Sequence, residues 1–509
     1  MGRIQANGRF VELMSKLTSE ALISGEVEGA GNKSVTGILL QFGNGILILA
    51  TTMVLARLLG PEAYGVVAGI APMIALIQLL RSFGLSVAVV QAKSLSEDEV
   101  SSYFTLQVLF SIVLGALLAV LGPIWAALLD DTRLTSISLV MAGVVAVGSL
   151  GGIHKALLQR NLLFGRLSIL ELAGSLLGFG GAVLAVLAGW GYWSLVVQQG
   201  ISTISSTFFS WWVCPWRPKK FKVRLSNWEG VVFGGSVTVG QFFEFLRRNT
   251  DVFLIRKFFG VEELGYYTRA YRIVLLPTTR IMGPIMRVSM PLLSRKSGTP
   301  EYAGVFENVF RACVVSSLPA GVFTRFFPYE VTRVALGEKW LGAIPIVEAL
   351  GLLAMLIPIG NCLSVNLVVF RKTRAILWVS FIALVLALSA YLIGINYSPA
   401  VFAELYGWTM GILIAIYCFF VTRISPLKMG RLLKILLSAV VPMAVGVGAG
   451  LLGKSYFFTD GGVVASLAIM GTFCVVYLAA LFVISGYHRH LKELMRSFGK
   501  GRSVIETTS

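Results

Sequence analysis

The stretch QFGNGILILATTMVLARLLGPEAYG (residues 41–65) holds an apolar run that ends in a charged turn of the pattern G-x-E-x-x-G. Such a run is long enough to cross a hydrocarbon core of about 30 Å as a helix. Similar runs recur along nearly the whole chain, in which 56% of 509 residues are hydrophobic and 13% are charged. The sequence therefore predicts an all-α polytopic membrane protein that leaves no segment for a soluble catalytic domain.

These runs predict about 14 transmembrane helices in total. The first group covers 33–57, 63–84, 102–126, 135–157, 167–189 and 191–213. The second group covers 229–255, 268–292, 305–328, 342–369, 375–396, 399–421, 435–453 and 462–485. The predicted organisation is a tail (1–32), an N-terminal lobe (33–213), a basic loop (214–228), a C-terminal lobe (229–422), two further helices (435–485) and a basic tail (486–509).

Basic loops alternate with less basic ones along this series of helices. The loop CPWRPKKFKVR (214–224), the segment FRKTR (370–374) and the C-terminal tail all fall on one side of the membrane. Because cytoplasmic loops carry an excess of Lys and Arg, both termini are predicted to be cytoplasmic, in a bacterial inner membrane. The net charge of +18 then reflects topology and attraction to anionic membrane lipids, and we expect no nucleic-acid partner.

The opening stretch has a counterpart 200 residues later, QFFEFLRRNTDVFLIRKFFGVEELG (241–265), which aligns with it without a gap. The most specific shared part is the turn, where Gly60, Glu62 and Gly65 match the equivalent positions of the second copy. The copies lie on the first and seventh predicted helices, six positions apart in the series, and an even offset preserves orientation. The two halves are therefore predicted to be parallel repeats related by an axis along the membrane normal.

The segment GAGLLGKS (448–455) fits the phosphate-loop pattern G-x-x-x-x-G-K-[ST]. A phosphate loop needs a preceding strand and a following helix. This segment instead ends an apolar run, so we interpret it as the outer end of a membrane helix, with Lys454 reaching the interface. The cysteines stand singly and are interpreted as packing residues, and the three histidines are interpreted as solvated surface residues. We therefore expect neither a metal site nor a cofactor.

Four segments resemble one family of membrane proteins. They are LARLLGPEAYG (55–65), LLQRNLLFGR (157–166), RNTDVFLIRKFFG (248–260) and ALGEKWLGAIPIVEALG (335–351). They look like the polysaccharide transporter family of Wzx-type exporters, in the superfamily that includes multidrug MATE exporters and the lipid II flippase. The resemblance implies two six-helix lobes arranged as a V. It also implies translocation of polyprenyl-pyrophosphate-linked sugar repeat units to the outer leaflet, as in lipopolysaccharide or exopolysaccharide synthesis.

The seventh predicted helix carries a charged stripe made of Glu244, Arg247, Arg248 and Asp251, spaced i, i+3, i+4 and i+7. A charge at the bilayer centre costs about 2.5–3.5 kcal/mol, so these side chains must face each other or water. The first helix carries polar, uncharged residues on the matching stripe. These are Gln41, Asn44 and Thr51 at the positions of Gln241, Glu244 and Asp251. Both repeats are therefore predicted to turn a wet face toward a common cavity.

The eighth predicted helix adds further arginines on one face, namely Arg269, Arg272, Arg280 and Arg287. Guanidinium groups bind phosphate in a bidentate manner, so this lining suits a pyrophosphate head group. Two alternatives stay open: Arg269, Arg272 and Arg287 lie near the membrane surfaces, or the arginines only neutralise carboxylates. Coupling to an ion would most plausibly use Glu244 or Asp251.

The sequence thus predicts a flippase that works by alternating access and is not an enzyme. Its expected partners are the lipid-linked oligosaccharide, membrane lipids, and the polymerase and glycosyltransferases of the same pathway. One alternative is a MATE-like exporter of small molecules, whose cavity should be acidic. Another is a membrane-embedded polymerase or ligase, which would need a large loop carrying catalytic acids.

Overall fold

The computed structural model describes residues 43, 45, 47–82, 85–92, 95–219, 245–247, 249–457 and 462–484. Across these residues the regular structure is helical and contains no strand. Several of the helices are long and apolar enough to cross a membrane. The prediction of an all-α polytopic membrane protein is therefore confirmed.

The chain divides into two compact units, residues 1–265 and residues 266–509. The first unit contains α1 (Leu47–Leu58), α2 (Pro61–Ser82), α3 (Leu85–Gln91), α4 (Glu97–Leu128), α5 (Arg133–Ser149), α6 (Gly152–Arg160), α7 (Phe164–Leu187), α8 (Trp193–Val213) and α9 (249–258). The next helix, α10 (Val261–Arg295), begins at the end of the first unit and continues into the second.

The second unit continues with seven further helices and one short 3-10 helix. They are α11 (Tyr302–Phe326), α12 (Pro328–Ala335), the 3-10 helix Glu338–Ala343, α13 (Ile344–Val369), α14 (Thr373–Gly394), α15 (Pro399–Ile424), α16 (Met429–Phe457) and α17 (Val463–Ile484). Its main core lies among α11, α13 and α16, where Phe306, Phe310 and Leu363 are fully buried. Burial of such side chains contributes about 1.5–3 kcal/mol each, so this core fixes the helix positions in the unit.

Nine of the described helices qualify as membrane spans by length and composition, or ten if one bent pair is counted as a single span. The predicted spans 33–57 and 229–255 lie only partly within the described residues. Every other predicted span overlaps a helix of the structure. The apolar runs therefore located these helices to within a few residues at most ends.

The predicted span 135–157 is broken in the structure. Its two parts, α5 and α6, meet at an angle of 41°. The break falls at a glycine pair, where Gly151 lies close to Ser210 and a Cβ on Gly152 would overlap the carboxamide of Gln107. A side chain at Gly151 would press on the α8 backbone at Thr207, and one at Gly152 would have to displace the Gln107 carboxamide, so the glycine pair lets α4 and α8 approach closely here.

Residues 448–455 lie wholly within the helix α16. Lys454 forms an ion pair of 2.8 Å with Glu330 of α12, whose side chain is only 3% exposed. The interpretation of this segment as a helix rather than a phosphate loop is thereby supported. Lys454 in addition has a specific acidic partner that the sequence did not indicate.

The interpretation of His154 as a solvated surface residue was wrong. Its side chain is fully buried in the first unit, with ring centroids 4.6 Å from Trp211 and 5.3 Å from Trp216. Three of the cysteines, Cys214, Cys313 and Cys362, are buried as expected of packing residues, whereas Cys474 is exposed. His154 was misjudged because its sequence neighbours are basic, while its neighbours in space are aromatic rings from a distant helix. His488 and His490 lie outside the described residues.

Candidate functional site

The predicted charged stripe is described only in part. Arg247 is half-buried and helical. Asp251 lies in α9 and its side chain is buried. Its Oδ1 accepts a hydrogen bond of 2.8 Å from the backbone N–H of Val252. Five of the other predicted site residues lie outside the described residues, namely Gln41, Asn44, Gln241, Glu244 and Arg248. The pairing of the stripe therefore stays a prediction.

The arginines of the eighth predicted helix all fall within α10. Arg269 is half-buried and Arg272 is exposed, whereas the side chains of Arg280 and Arg287 lie outside the described set. The helix is continuous from Val261 to Arg295 although it contains three prolines at seven-residue intervals. The arginines thus share one helix, as predicted, and their role as a phosphate site stays a prediction.

A groove in the first unit was missed by sequence reasoning. It has a volume of about 220 Å³ and lies among α2, α5 and α8. The described residues of its wall are mostly apolar, with two glutamines and no charged side chain among them. The lining residues are Val67, Ile70, Ala71, Ile74, Ala75, Gln78, Ile137, Met141, Leu195, Val196 and Gln199.

The two glutamines are the polar features of this groove. Gln78 and Gln199 are both exposed, and within the described part of the chain neither carboxamide has a hydrogen-bond partner. Placing an amide in apolar surroundings without a hydrogen bond costs about 2–7 kcal/mol. Because Gln78 lies within a candidate membrane span, this side of the groove must meet water or a polar ligand. The signal in the sequence was one glutamine in the apolar run of α2 and an adjacent pair, Gln198 and Gln199, in that of α8.

A second polar feature of the first unit is a group of charged residues centred on Asp131, which we call the Asp131 cluster. Its members are Glu62, Asp130, Asp131, Arg133, Arg256 and Lys257. They come from the start of α2, the turn between α4 and α5, the start of α5 and the end of α9. The cluster therefore joins three parts of the sequence that lie up to about 190 residues apart.

Asp131 makes the central contacts of the cluster. Arg256 Nη2 donates to Asp131 Oδ2 at 2.9 Å, and Arg133 Nε donates to Oδ1 at 2.8 Å. Arg133 Nη1 also donates to Glu62 at 2.7 Å. The side chains of Asp131 and Arg256 are only 5% and 9% exposed, so this ion pair is buried. A buried carboxylate with two guanidinium partners is a rigid arrangement, because loss of either partner leaves a charge unpaired.

The electrostatics of Asp131 follow from these contacts. Burial alone raises the pKa of Asp131, but the hydrogen bonds and charge of Arg133 and the hydrogen bond from Arg256 outweigh it. The pKa of Asp131 is therefore lower than its ordinary value, and the carboxylate is ionised at neutral pH. Asp131 thus suits a permanent ion pair better than proton transfer.

Close to this cluster, the two copies of the repeated turn contact each other. A Cβ on Gly65 would overlap the carbonyl oxygen of Val261, and a Cβ on Gly265 would overlap the carbonyl oxygen of Pro61. These four positions are equivalent in pairs at the repeat offset of 200 residues. The first turns of α2 and α10 therefore cross at glycine with reciprocal contacts, which only residues without a side chain allow.

Comparisons with known proteins agree with this fold. Residues 54–345 match the family described as "Polysaccharide biosynthesis protein". The chain is 27% identical over 319 residues to the teichuronic acid biosynthesis protein TuaB of Bacillus subtilis, covering 62% of this chain and 66% of that protein. It is 24% identical over 321 residues to the lipopolysaccharide biosynthesis protein WzxC of Escherichia coli, covering 62% and 64%. The matches thus span slightly less than two thirds of either relative.

Among solved structures, the lipid II flippase MurJ in an inward closed conformation is similar to this chain. The TM-score is 0.72 at 16% identity, and the similarity covers 90% of this chain and 100% of that one. At this identity the likeness concerns the fold alone.

Proposed function

Because this chain belongs to the polysaccharide biosynthesis protein family, we propose that it is a flippase for polyprenyl-pyrophosphate-linked oligosaccharide repeat units. It moves them by alternating access from the cytoplasmic to the outer leaflet for surface polysaccharide synthesis. The observation that carries this proposal is the family match over residues 54–345, which spans the groove and both helices of the predicted cationic site. The names of the relatives, which refer to teichuronic acid and lipopolysaccharide biosynthesis, support the substrate class.

The arginines of the seventh and eighth predicted helices supply the proposed phosphate site. Arg247 and Arg248, together with Arg269, Arg272, Arg280 and Arg287, offer permanent positive charge to a pyrophosphate that has left the aqueous phase. Gln41, Asn44 and Gln241 add neutral hydrogen-bonding groups on the matching face, and Glu244 or Asp251 serves ion coupling. A membrane potential that is negative inside favours outward movement of the phosphate by about 2.3 kcal/mol per uncompensated charge per 100 mV.

The proposed setting is the bacterial inner membrane, with both termini in the cytoplasm. There the flippase receives its cargo from glycosyltransferases and delivers it to a polymerase on the other side. A MATE-like exporter of small cations is the second candidate, because the superfamily that this sequence resembles also includes the multidrug MATE exporters. The excess of arginine over carboxylate on α9 and α10 disfavours it, because cationic cargo needs an acidic cavity.

A reconstitution experiment tests the proposal. The purified full-length protein is placed in liposomes whose inner and outer leaflets both contain lipid-linked oligosaccharide isolated from the producing bacterium. Periodate, which does not cross the membrane, then oxidises the sugar diols that reach the outer leaflet. We expect liposomes with the protein to expose more than half of the total pool, and liposomes without it only the fraction initially outside.

Two outcomes would contradict the proposal. The first is an identical oxidised fraction with and without protein. The second is loss of sugar lipid to longer chains, which would indicate a polymerase. A parallel assay with an organic cation tests the exporter alternative, since a MATE-like protein would release the cation while leaving the sugar lipid in place.

A further inference from the structure

The groove among α2, α5 and α8 has a chemistry that differs from that of the predicted phosphate site. Among the described residues, its lining holds two carboxamides and no charged side chain. Gln78 and Gln199 lie on different walls, and neither makes a hydrogen bond to another residue of the described chain. The wall formed by α2 from Val67 to Gln78 is about 16 Å long at 1.5 Å per residue. The groove is therefore long, narrow and neutral.

The two carboxamides, which have no hydrogen-bond partner among the described residues, limit which ligands the groove can hold. An isoprenoid or acyl chain would leave both unpaired in apolar surroundings, which is unfavourable. A phosphate would lack a cation, because none of the described residues that line the groove is Lys or Arg. The occupant must therefore be uncharged and must carry groups that both donate and accept hydrogen bonds.

Sugar rings meet both conditions. Their hydroxyl groups pair with the C=O and NH₂ of a carboxamide, and their C–H faces pack against residues such as Ile74 and Leu195. A volume of about 220 Å³ would otherwise hold about seven waters at ~30 Å³ each. It is smaller than the ~300–1,000 Å³ of pockets for drug-sized ligands, so it admits only a small part of an oligosaccharide at one time.

We propose that this groove is a sugar subsite, in which Gln78 and Gln199 bind the hydroxyl groups of uncharged sugar rings of the transported oligosaccharide. The proposal rests on the function proposed above, and it assigns two parts of the substrate to two different sites. The arginines of the seventh and eighth predicted helices bind the pyrophosphate, while the neutral groove of the first unit binds the glycan. Substrate preference for the sugar then depends on the groove and not on the arginines.

The first test uses the double variant Gln78→Leu, Gln199→Leu in the liposome assay. Leucine keeps the approximate size and removes a free polar group from the membrane, so protein level and melting temperature should stay at or above those of the parent. We expect the rate at which sugar lipid becomes accessible to periodate to fall at least tenfold. The matched control is Gln198→Leu, the neighbouring glutamine of α8, which does not line the groove and should flip at the parental rate.

The outcomes of this assay separate the two proposals. If the parent does not flip the sugar lipid, the proposed function fails. If the parent flips it and the double variant flips it equally fast, the sugar subsite alone is wrong. An equal loss of rate in the Gln198→Leu control would also overturn the subsite, because the effect would then belong to α8 as a whole.

The second test identifies the occupant by protection of a cysteine. Ala71 lines the groove and is exposed, so a cysteine there should react with a hydrophilic maleimide in the full-length protein. Ile112, which lies in mid-span on α4 and is 56% exposed, provides the lipid-facing control and should not react above the parental background. We expect at least one of methyl glucoside, methyl galactoside and methyl N-acetylglucosaminide to slow labelling of Ala71→Cys at least threefold at 50–100 mM (roughly the weak-binding range).

Sodium pyrophosphate and farnesol serve as the competing probes. Protection by pyrophosphate, or equal protection by farnesol, would overturn the proposal in favour of an anion site or an apolar-chain site. Absence of labelling would show that the groove excludes water, and absence of protection by every glycoside would show that it does not bind sugar rings. Either result would also overturn it.

Discussion

Asp131 is a residue at which a change of one atom should have a large effect, because its carboxylate is buried between two guanidinium groups. Asp131→Asn should lower the free energy of unfolding by about 3 kcal/mol, since removing one partner of a buried ion pair leaves the other uncompensated. The measurement is thermal unfolding of the detergent-purified protein. The control is Asp130→Asn, whose partner Lys257 is exposed and whose loss should cost at most about 1 kcal/mol.

The difference between the parent and Asp131→Asn should depend on pH. The pKa of Asp131 is lowered by folding, so its contribution is fully present above the ordinary value of 3.8 and is lost as the pH falls through the lower folded value. The two melting temperatures should therefore differ at about pH 7 and converge only at pH values below 3.8, as the carboxylate of the folded protein becomes protonated. A constant difference across this range would contradict the assignment of the lowered pKa to Asp131.

Lys454 and Glu330 offer a second test at the level of single residues. Lys454→Ala should reduce the amount of folded protein, because it leaves the buried carboxylate of Glu330 without its cation. Adding Glu330→Gln should restore that amount. Transport per molecule should be unchanged in both variants, since residues 448–455 form a helix and no nucleotide binding is expected of them. Loss of transport per molecule together with loss of measurable ATP binding would revive the phosphate-loop interpretation.

Arg247 tests the proposed phosphate site. Arg247→Gln should reduce flipping of sugar lipid at least tenfold at normal abundance, because glutamine keeps hydrogen bonding and loses the charge. Lysine should restore part of the activity as a point charge. Arg423→Gln is the control, since Arg423 is exposed, stacks on Phe419 and is not one of the proposed phosphate ligands. Normal transport by Arg247→Gln would argue against this residue as a phosphate ligand.

At the scale of single residues, the sequence indicated types of chemistry better than partners. It placed charged and polar residues on helix faces, because the helical period is fixed. It did not reveal the pair Asp131–Arg256, whose members are 125 residues apart. It also missed the environment of His154, because whether a residue at a helix end is buried depends on which other segment of the chain packs against it.

At the scale of elements, the crossing of α2 and α10 makes a specific prediction about Gly65. Gly65→Ala should destabilise the protein by about 3 kcal/mol, near the upper end of the ~1–3 kcal/mol range for overpacking, since the added Cβ meets rigid backbone at Val261. Gly143→Ala in α5 is the matched control, with no atom within 4 Å of the added Cβ. It should be neutral or stabilising by up to about 1 kcal/mol because alanine favours helix. Equal melting temperatures for the two variants would contradict a tight crossing.

The elements themselves were largely predictable from the sequence. Apolar runs located the helices because each one must satisfy its backbone hydrogen bonds internally within the membrane. The start of α4 was not located by its apolar run, which begins at residue 102, because the first turn from Glu97 is acidic and is fixed by the capping box of Ser96 and Glu99. The break between α5 and α6 could not be predicted, because the apolar run continues through the break. The close approach of Gln107 at this break comes from another helix, α4.

At the scale of the whole molecule, the distribution of basic loops predicts which side of the membrane each turn faces. Cysteines introduced at Trp190 and Lys372 lie in exposed turns between helices. In intact spheroplasts an impermeant maleimide should label Trp190→Cys, whereas Lys372→Cys should be labelled only after permeabilisation. The reverse pattern would invert the predicted topology and with it the direction of transport.

Fold class was accessible from composition, since a chain with 56% hydrophobic residues and recurrent long apolar runs has few alternatives to a helical membrane protein. The neutral groove was not accessible in the same way. Its lining combines residues from three helices, and Gln78 and Gln199 gain significance only because they share one cavity. Sequence periodicity assigns residues to faces, whereas a cavity depends on which faces meet.

The reciprocal contact between Gly65 and Gly265 has the form of an isologous dimer interface within one chain. In a symmetric dimer, residue i of one subunit meets residue j of the other, and j meets i; here Gly65 faces Val261 while Gly265 faces Pro61. A position near the symmetry axis of such an interface is constrained twice, once by each copy of the repeat. The second copy has gained Arg256 and Asp251 where the first has Ala56 and Thr51, yet both copies keep glycine at the crossing. The two halves are therefore free to differ in chemistry along their helices, whereas at the crossing they must stay alike.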